Sequence, residues 1–465
     1  MVNMVCAICS DDGPKACTRL PIAMAPSSTS VPERLRADLK QVLQLALVGV
    51  LVGLACWPLN LVDHWQDLLL QRLPAFNGGS WNPALAIQAC VPLIVMPVLL
   101  ALQARPWREG SGSGIPQAML SVETPEQAAT LMSPSSTVKR LSLWSIASLA
   151  LLSLGREGPV VQVGGAVAQA LRSRWPGLLA RIPATNLLAV SAGAGLAGGF
   201  NAPLMGVVFV AEELCGRFGA QLIWPALVIC AVAAEVSNLG GQPQFTLGLV
   251  HLNPQEIDQI KLGVGLGVCA GAMGGLFARL LFESTRRLIP RAQQHPWRSG
   301  LLLGGLLSLL LVLSGGNSGG DGEALMAWML ADPLGHHVSV GDLVGRLIGP
   351  CLSLGAGIPG GLIDPALTIG AVTGQLISDA LQLGSLGIAI GMAAGLAGAT
   401  QLPVMSLVFA LHMAGDQQLL TGIMVASVIG AYTGRLWMMK PIYHALTDLL
   451  QERQGVLKLE PNQTT

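Results

Sequence analysis

Five consecutive residues, Gly155, Arg156, Glu157, Gly158 and Pro159, carry the clearest chemistry in this chain of 465 residues. They lie between leucine-rich segments, which places an arginine and a glutamate at the depth of a membrane. An ionisable side chain there costs roughly 2.5–3.5 kcal/mol on insertion scales and by default marks a functional site. The glycines and the proline break a helix, and broken backbone at that depth is tolerated only where protein or water surrounds it. The charge stands where something has to pass.

Two other runs share this design: Gly112-Ser113-Gly114-Ile115-Pro116 and Gly360-Gly361-Leu362-Ile363-Asp364-Pro365. In each, glycines let backbone come close and a proline suits the first turn of a following helix. Helix N-termini expose unpaired N–H groups and the positive end of the dipole, so together they make an anion site. Three of them aimed at one point bind an anion without a full positive charge. Ser113 adds a hydroxyl donor, although alone it reads as a helix cap. A weakly charged site also lets the ion leave, as conduction requires.

The elements that position these runs are membrane helices. Mean hydropathy is +0.58 and only 11% of residues are charged, which describes an integral membrane protein. Apolar stretches recur near 42–58, 86–104, 141–154, 187–200, 223–236, 262–282, 300–314, 384–396, 403–414 and 420–438. Several approach the roughly 20 residues that span a bilayer; others are shorter and interrupted. The 57 glycines and 29 prolines fit close helix contacts and many breaks. The fold class is an all-α polytopic membrane protein with broken, partly non-spanning helices.

The chain also repeats itself. Residues 195–209 read GLAGGFNAPLMGVVF and residues 395–409 read GLAGATQLPVMSLVF, with Pro203 and Pro403 in register. Upstream the shift becomes looser, but Pro159, Gly164 and Gln169 still match Pro365, Gly370 and Gln375. Two half-repeats, each carrying a Gly/Pro-broken segment, point to a transporter binding site at the midplane. The repeats are placed at about 80–240 and 262–438.

Net charge is zero, so no basic surface argues for nucleic acid. Basic clusters at Arg34/Arg36/Lys40, Arg105/Arg108, Lys139/Arg140, Arg172/Arg174/Arg181, Arg286/Arg287/Arg291/Arg298 and Arg435/Lys440 mark cytoplasmic loops, which puts both termini on the cytoplasmic side. Asp63/Asp67, Glu235/Glu256/Asp258 and Asp321/Glu323/Asp332/Asp342 read as acidic loops opposite. Cys56, Cys90, Cys230, Cys269 and Cys351 sit in apolar runs and are expected to pack as small hydrophobes. Cys6, Cys9 and Cys17 lie in a polar leader without a fourth ligand nearby, so no metal is expected. Residues 1–36 lack a signal-peptide core and read as a disordered cytoplasmic leader. Residues 446–465 read as a short cytoplasmic tail.

Four motifs, GSGIP (112–116), GREGP (155–159), FNAPL…EE (200–213) and KPIY (440–443), occur in the order found in the CLC family of chloride channels and proton-coupled chloride exchangers. The chain resembles that family over roughly residues 36–445, and 37–445 is taken as the transport domain. The resemblance implies two inverted-topology repeats, a homodimer in the lipid bilayer, and one anion pathway per subunit. It implies that Ser113 and Tyr443 are the side-chain ligands of the central chloride, completed by backbone N–H groups near Leu362 and Ile363. Glu157 looks like the gating glutamate, and Glu213 like the internal proton-transfer glutamate. On their own residues, Glu212 and Glu213 read equally as a solvated helix end, and Tyr443 as an interface tyrosine.

Two positions depart from the family pattern. Ile363 stands where an aromatic is usual, and Asp364 where a small residue is usual. Asp364 precedes Pro365 and is expected to cap the helix, modulating anion binding or adding a pH-sensitive group. His412 stands where the first repeat has Glu212 and reads as a packed or hydrogen-bonded histidine.

The expected function is H+/Cl− antiport in a bacterial inner membrane, without a cofactor. A passive chloride channel of the same fold is the alternative, and fluoride selectivity is disfavoured by Ser113. No enzyme is expected. Gly316-Asn317-Ser318-Gly319 matches the GxSG of intramembrane serine proteases, with His336 or His412 as base, but its Gly/Asp-rich loop looks solvent-facing. No HExxH, P-loop or Rossmann fingerprint appears. With only a short stretch after Tyr443, no regulatory nucleotide-binding domain is expected at that end.

Overall fold

The computed structural model describes residues 31–239, 259–332, 335–381, 385–415 and 417–455. Cys6, Cys9 and Cys17, most of the leader, Glu256, Asp258 and residues 456–465 of the tail lie outside the described residues. The described residues are helical and contain no strand. In chain order, the helices used below are α1 (Val31–Leu70), α2 (Ile115–Glu123), α3 (Pro134–Leu149), α4 (Glu157–Arg174), α5 (Ala184–Phe200), α6 (Pro203–Phe209), α7 (Gln259–Gln294), α8 (Glu323–Ala331), α9 (Val340–Ser353), α10 (Ile363–Leu381), α11 (Ser385–Thr400), α12 (Pro403–Ala414), α13 (Leu420–Gly434) and α14 (Ile442–Gln454). α1 starts at Val31, inside the stretch expected to be a leader, and α14 continues helical into the expected tail.

Among the described residues, five segments are long and apolar enough to cross a membrane: Leu35–Leu70, Pro83–Ala104, Ala220–Ser237, Gln259–Gln294 and Pro296–Leu313. Ala184–Phe200, Leu386–Thr400, Pro403–Ala414 and Leu420–Gly434 are apolar but shorter. The mixture of full spans and short broken helices is the one that the glycines and prolines imply. The apolar run at 141–154 is helical only to Leu149, and Leu151 adopts a left-handed backbone (φ 58°).

The chain forms two compact units that do not coincide with the two repeats. The first comprises Met1–Trp57, Gln117–Pro134 and Val161–Leu239, and the second Pro58–Pro116, Ser135–Val160 and Gly240–Thr465. Within the first, α5 ends at Asn201 in the left-handed region (φ 50°) and α6 restarts at Pro203. α4 crosses α5 so closely that a methyl on Gly164 would overlap the Ser191 carbonyl.

The second unit repeats both devices. α11 ends before Gln401, also left-handed (φ 62°), and α12 restarts at Pro403. A methyl on Gly370 of α10 would overlap the Gly391 carbonyl of α11. α7 packs on α13 and α11 through Gly271 against Gly430 and Gly274 against Gly395. Small residues at these crossings let backbones approach, which is how helices gain contact where lipid removes the hydrophobic drive.

Two expectations need correction. Cys56, Cys230 and Cys351 are buried as small hydrophobes, but Cys90, between two helices, and Cys269 are exposed. The Gly/Asp-rich loop 314–322 is not solvent-facing: Asn317, Ser318 and Asp321 are buried. Its carbonyls are satisfied by the fully buried Arg346 of α9, which donates to Gly320 (3.1 Å) and Gly319 (2.9 Å). A polar loop is thus accommodated inside because a cation supplies its donors.

Candidate functional site

The three Gly/Pro runs each open a helix: α2 at Ile115, α4 at Glu157 and α10 at Ile363. The last two runs are joined by the isolated antiparallel bridge of the described residues. Gly155 N–H donates to Gly361 O (3.0 Å) and Gly361 N–H returns to Gly155 O (2.9 Å). Trp144 of α3 donates its indole N–H to the same Gly155 carbonyl (3.2 Å).

Glu157 is the first residue of α4 and is wholly buried. Its Oε1 accepts the backbone N–H of Asp364, at the start of α10. The carboxylate lies flat against glycine backbone, where a methyl on Gly361 would overlap Oε2. A carboxyl oxygen therefore already sits where a helix offers unpaired N–H groups and a positive dipole end. Leu362 and Ile363 are buried at the same helix start.

Ser113 faces the first turn of α4: a methyl on Gly158 would stand 2.6 Å from its Oγ. That hydroxyl is buried and has no hydrogen-bond partner among the described residues. The run before α2 is braced from behind. Gly112 N–H donates to Gly357 O (2.9 Å), and Gly357 adopts a left-handed φ of 88° that favours glycine. The buried Arg140 of α3 donates to the carbonyls of Glu109 (3.2 Å), Ser111 (3.0 Å) and Gly112 (3.2 Å).

Tyr443 is the second residue of α14, wholly buried with a buried hydroxyl, in the same unit as Ser113 and Glu157. Glu213 belongs to the first unit. It sits on a π-helical turn, Val210–Leu214, that continues α6, and it is buried while Glu212 is half-buried. The extra residue of a π turn re-aims side chains, and such turns recur at functional sites. That separates Glu213 from a solvated helix end.

Sequence reasoning missed the setting of Arg156. Asp63 and Glu323 are not acidic loop residues: both pair with the buried Arg156, Glu323 at 3.1 Å. Asp321 lies with them and accepts the Glu323 N–H at 2.9 Å. Arg156 supplies the cation of this carboxylate group. The signal that points there is the arginine itself, which at membrane depth requires a carboxylate partner.

Asp364 does not cap α10. Neither carboxylate oxygen has a hydrogen-bond partner among the described residues, and the side chain lies beside the Glu157 carboxyl at Gly155 instead. Among the described residues, the Ser318 Oγ pairs with Ser314 Oγ (2.9 Å) rather than with a catalytic base. His336 bonds the Trp328 carbonyl (2.6 Å) and stacks on that ring. His412 is half-buried in the last turn of α12.

Fold and site together define a multi-pass helical membrane protein that holds a carboxylate at the start of a broken helix. The family model described as voltage gated chloride channel matches residues 93–435. The chain belongs to the voltage gated chloride channel (CLC) family. It is 30% identical over 445 residues to the H(+)/Cl(−) exchange transporter ClcA of Yersinia pseudotuberculosis serotype IB (strain PB1/+), covering 90% of each chain. It is 31% identical over 317 residues to the voltage-gated ClC-type chloride channel ClcB of Escherichia coli O17:K52:H18, covering 65% of this chain and 74% of that one. The solved structure of a slow cyanobacterial Cl−/H+ antiporter aligns with a TM-score of 0.72 at 22% identity, over 90% of this chain and 99% of that one.

Proposed function

We propose that this protein exchanges chloride for protons across a membrane. One observation carries the reading: the Glu157 carboxylate accepts the Asp364 N–H at the start of α10, an anion in a seat that suits an anion. Chloride takes a seat of this kind, held by the Ser113 and Tyr443 hydroxyls and by backbone N–H groups at Leu362 and Ile363. Protonation neutralises Glu157 and removes its hold on the seat, so proton binding and chloride binding alternate. Glu213, buried in the other unit, passes the proton on toward the cytoplasm. Asp364 modulates the site.

The transport domain is residues 37–445, with repeats at about 80–240 and 262–438. The protein acts as a homodimer in a bacterial inner membrane, with both termini cytoplasmic, and needs no cofactor and no enzymatic step. The test is proton movement in proteoliposomes with the voltage clamped by a potassium ionophore. A chloride gradient should drive protons uphill. Chloride flux without uphill protons would replace the exchanger by a passive channel.

A further inference from the structure

Asp364 is a buried carboxylate that the exchange cycle above does not require. It is wholly buried, as is Glu157, and the two carboxyl groups lie side by side at Gly155. Both converge on one backbone atom: a methyl on Gly155 would stand 2.7 Å from Glu157 Oε1 and 2.8 Å from Asp364 Oδ2. Glu157 Oε2 and both Asp364 oxygens lack a donor among the described residues.

The charges that reach the pair do not neutralise it. Arg156 is the cation, but its guanidinium is divided between Asp63 on α1 and Glu323 at the start of α8. The remaining charged neighbours, Asp321 and Asp63, are acidic. Two acceptors face each other with no donor between them. Like-charged carboxylates this close do not both ionise, and they resolve the conflict by sharing a proton.

We infer that Glu157 and Asp364 form a proton-binding pair, in which one shared proton latches Glu157 in the anion seat and a second proton releases it. The shared proton makes a charge-assisted O–H···O− bond, roughly twice as strong as a neutral one. While it persists, Glu157 stays against α10. A second proton from the aqueous side converts the remaining carboxylate to a carboxylic acid. Both groups are then neutral, the charge-assisted bond is gone, and the gate side chain can leave. Only O–H bonds form, and each proton returns to water when the pair ionises again. The seat therefore opens at a lower pH than a lone glutamate would set.

This inference rests on the exchanger reading, through the role of Glu157 as gate. The experiment is chloride flux against pH in proteoliposomes for wild type, Asp364→Asn, Asp364→Ala, Glu157→Gln and Glu157→Gln/Asp364→Asn. Apparent constants of shared-proton carboxyl pairs split by about three units, so removing one partner should raise the pH of half-maximal flux by about 1–2 units. At pH 7 that corresponds to a gain in flux of roughly tenfold. Asn and Ala should agree, because lost titration rather than shape is responsible. In the Glu157→Gln background, removing Asp364 should shift nothing further.

An unshifted profile in both Asp364 variants would overturn the pair. A shift that survives in the Glu157→Gln background would also overturn it, and would make Asp364 a direct repellent of chloride. Chloride binding to the purified protein against pH should show the same displacement. It reads the pair even if wild type moves no protons uphill, so failure of exchange and failure of the pair are told apart.

Discussion

Gly155 and Gly361 exchange both of their backbone hydrogen bonds, at 3.0 and 2.9 Å, and so tie the run before α4 to the run before α10. The consequence is mechanical. Glu157 and the helix start it touches are positioned by one bridge. Trp144 clamps the Gly155 carbonyl from α3, so the bridge is held on a second side.

The first prediction concerns Gly361. A methyl there would overlap Glu157 Oε2, and the bridge prevents the backbone from yielding. The side chain must give way. Each 1.4 kcal/mol of clash lowers occupancy of the seat about tenfold. Gly361→Ala should therefore raise chloride flux and cut the protons moved per chloride at least several-fold, measured in the same vesicles. Wild-type coupling in this variant would mean that the carboxylate does not rest where the structure places it.

The motifs and the repeat were legible because they are local: glycine and proline spell out a helix break in a few adjacent residues. Asn201 and Gln401 fall at matching breaks although their side chains differ, since the surrounding Gly, Pro and Met residues recur. What escaped was long-range pairing. Asp63 and Glu323 lie 93 and 167 residues from Arg156, and an isolated acidic residue in a sequence looks like a loop residue. The loop 314–322 misled for the same reason, because its donors come from Arg346 on α9. In the sequence, the place of Asp364 before Pro365 points to a cap. The partner that turns it away, Glu157, is 207 residues distant.

Arg156 gives the second prediction. Removing it leaves Asp63 buried without its cation, and breaking a buried pair costs about 3–5 kcal/mol. Arg156→Ala should lower the melting temperature of the detergent-solubilised protein markedly. Adding Asp63→Asn should recover part of the loss, because the uncompensated charge is then gone. A double variant no more stable than Arg156→Ala would show that packing, not charge, is what Arg156 contributes.

Arg140 tests how the Ser113 run is held. Its guanidinium satisfies three carbonyls of one short stretch, at Glu109, Ser111 and Gly112, each a charged-donor bond of roughly 1.5–3 kcal/mol. Arg140→Gln cannot span all three. Ser113 would lose its fixed position, and chloride affinity by titration calorimetry should fall about tenfold, equivalent to 1.4 kcal/mol. The pH profile of flux should keep its midpoint, since Glu157 and Asp364 are untouched. A moved midpoint with unchanged affinity would assign Arg140 to the gate instead.

Glu212 and Glu213 are adjacent, yet the π turn treats them differently: Glu213 is turned into the interior and Glu212 stays half-buried. A proton carrier needs a titratable group inside the protein, and glutamine preserves shape while removing titration. Glu213→Gln should abolish chloride-driven uphill proton movement and leave chloride flux within about threefold of wild type, a change under 1 kcal/mol. Glu212→Gln should keep both. The contrast matters because composition and charge change identically in the two variants. Equal losses in both would mean that the acidic end of the segment acts as a field at the membrane surface. Loss confined to Glu213→Gln would make its inward turn the reason that the proton has a path at all.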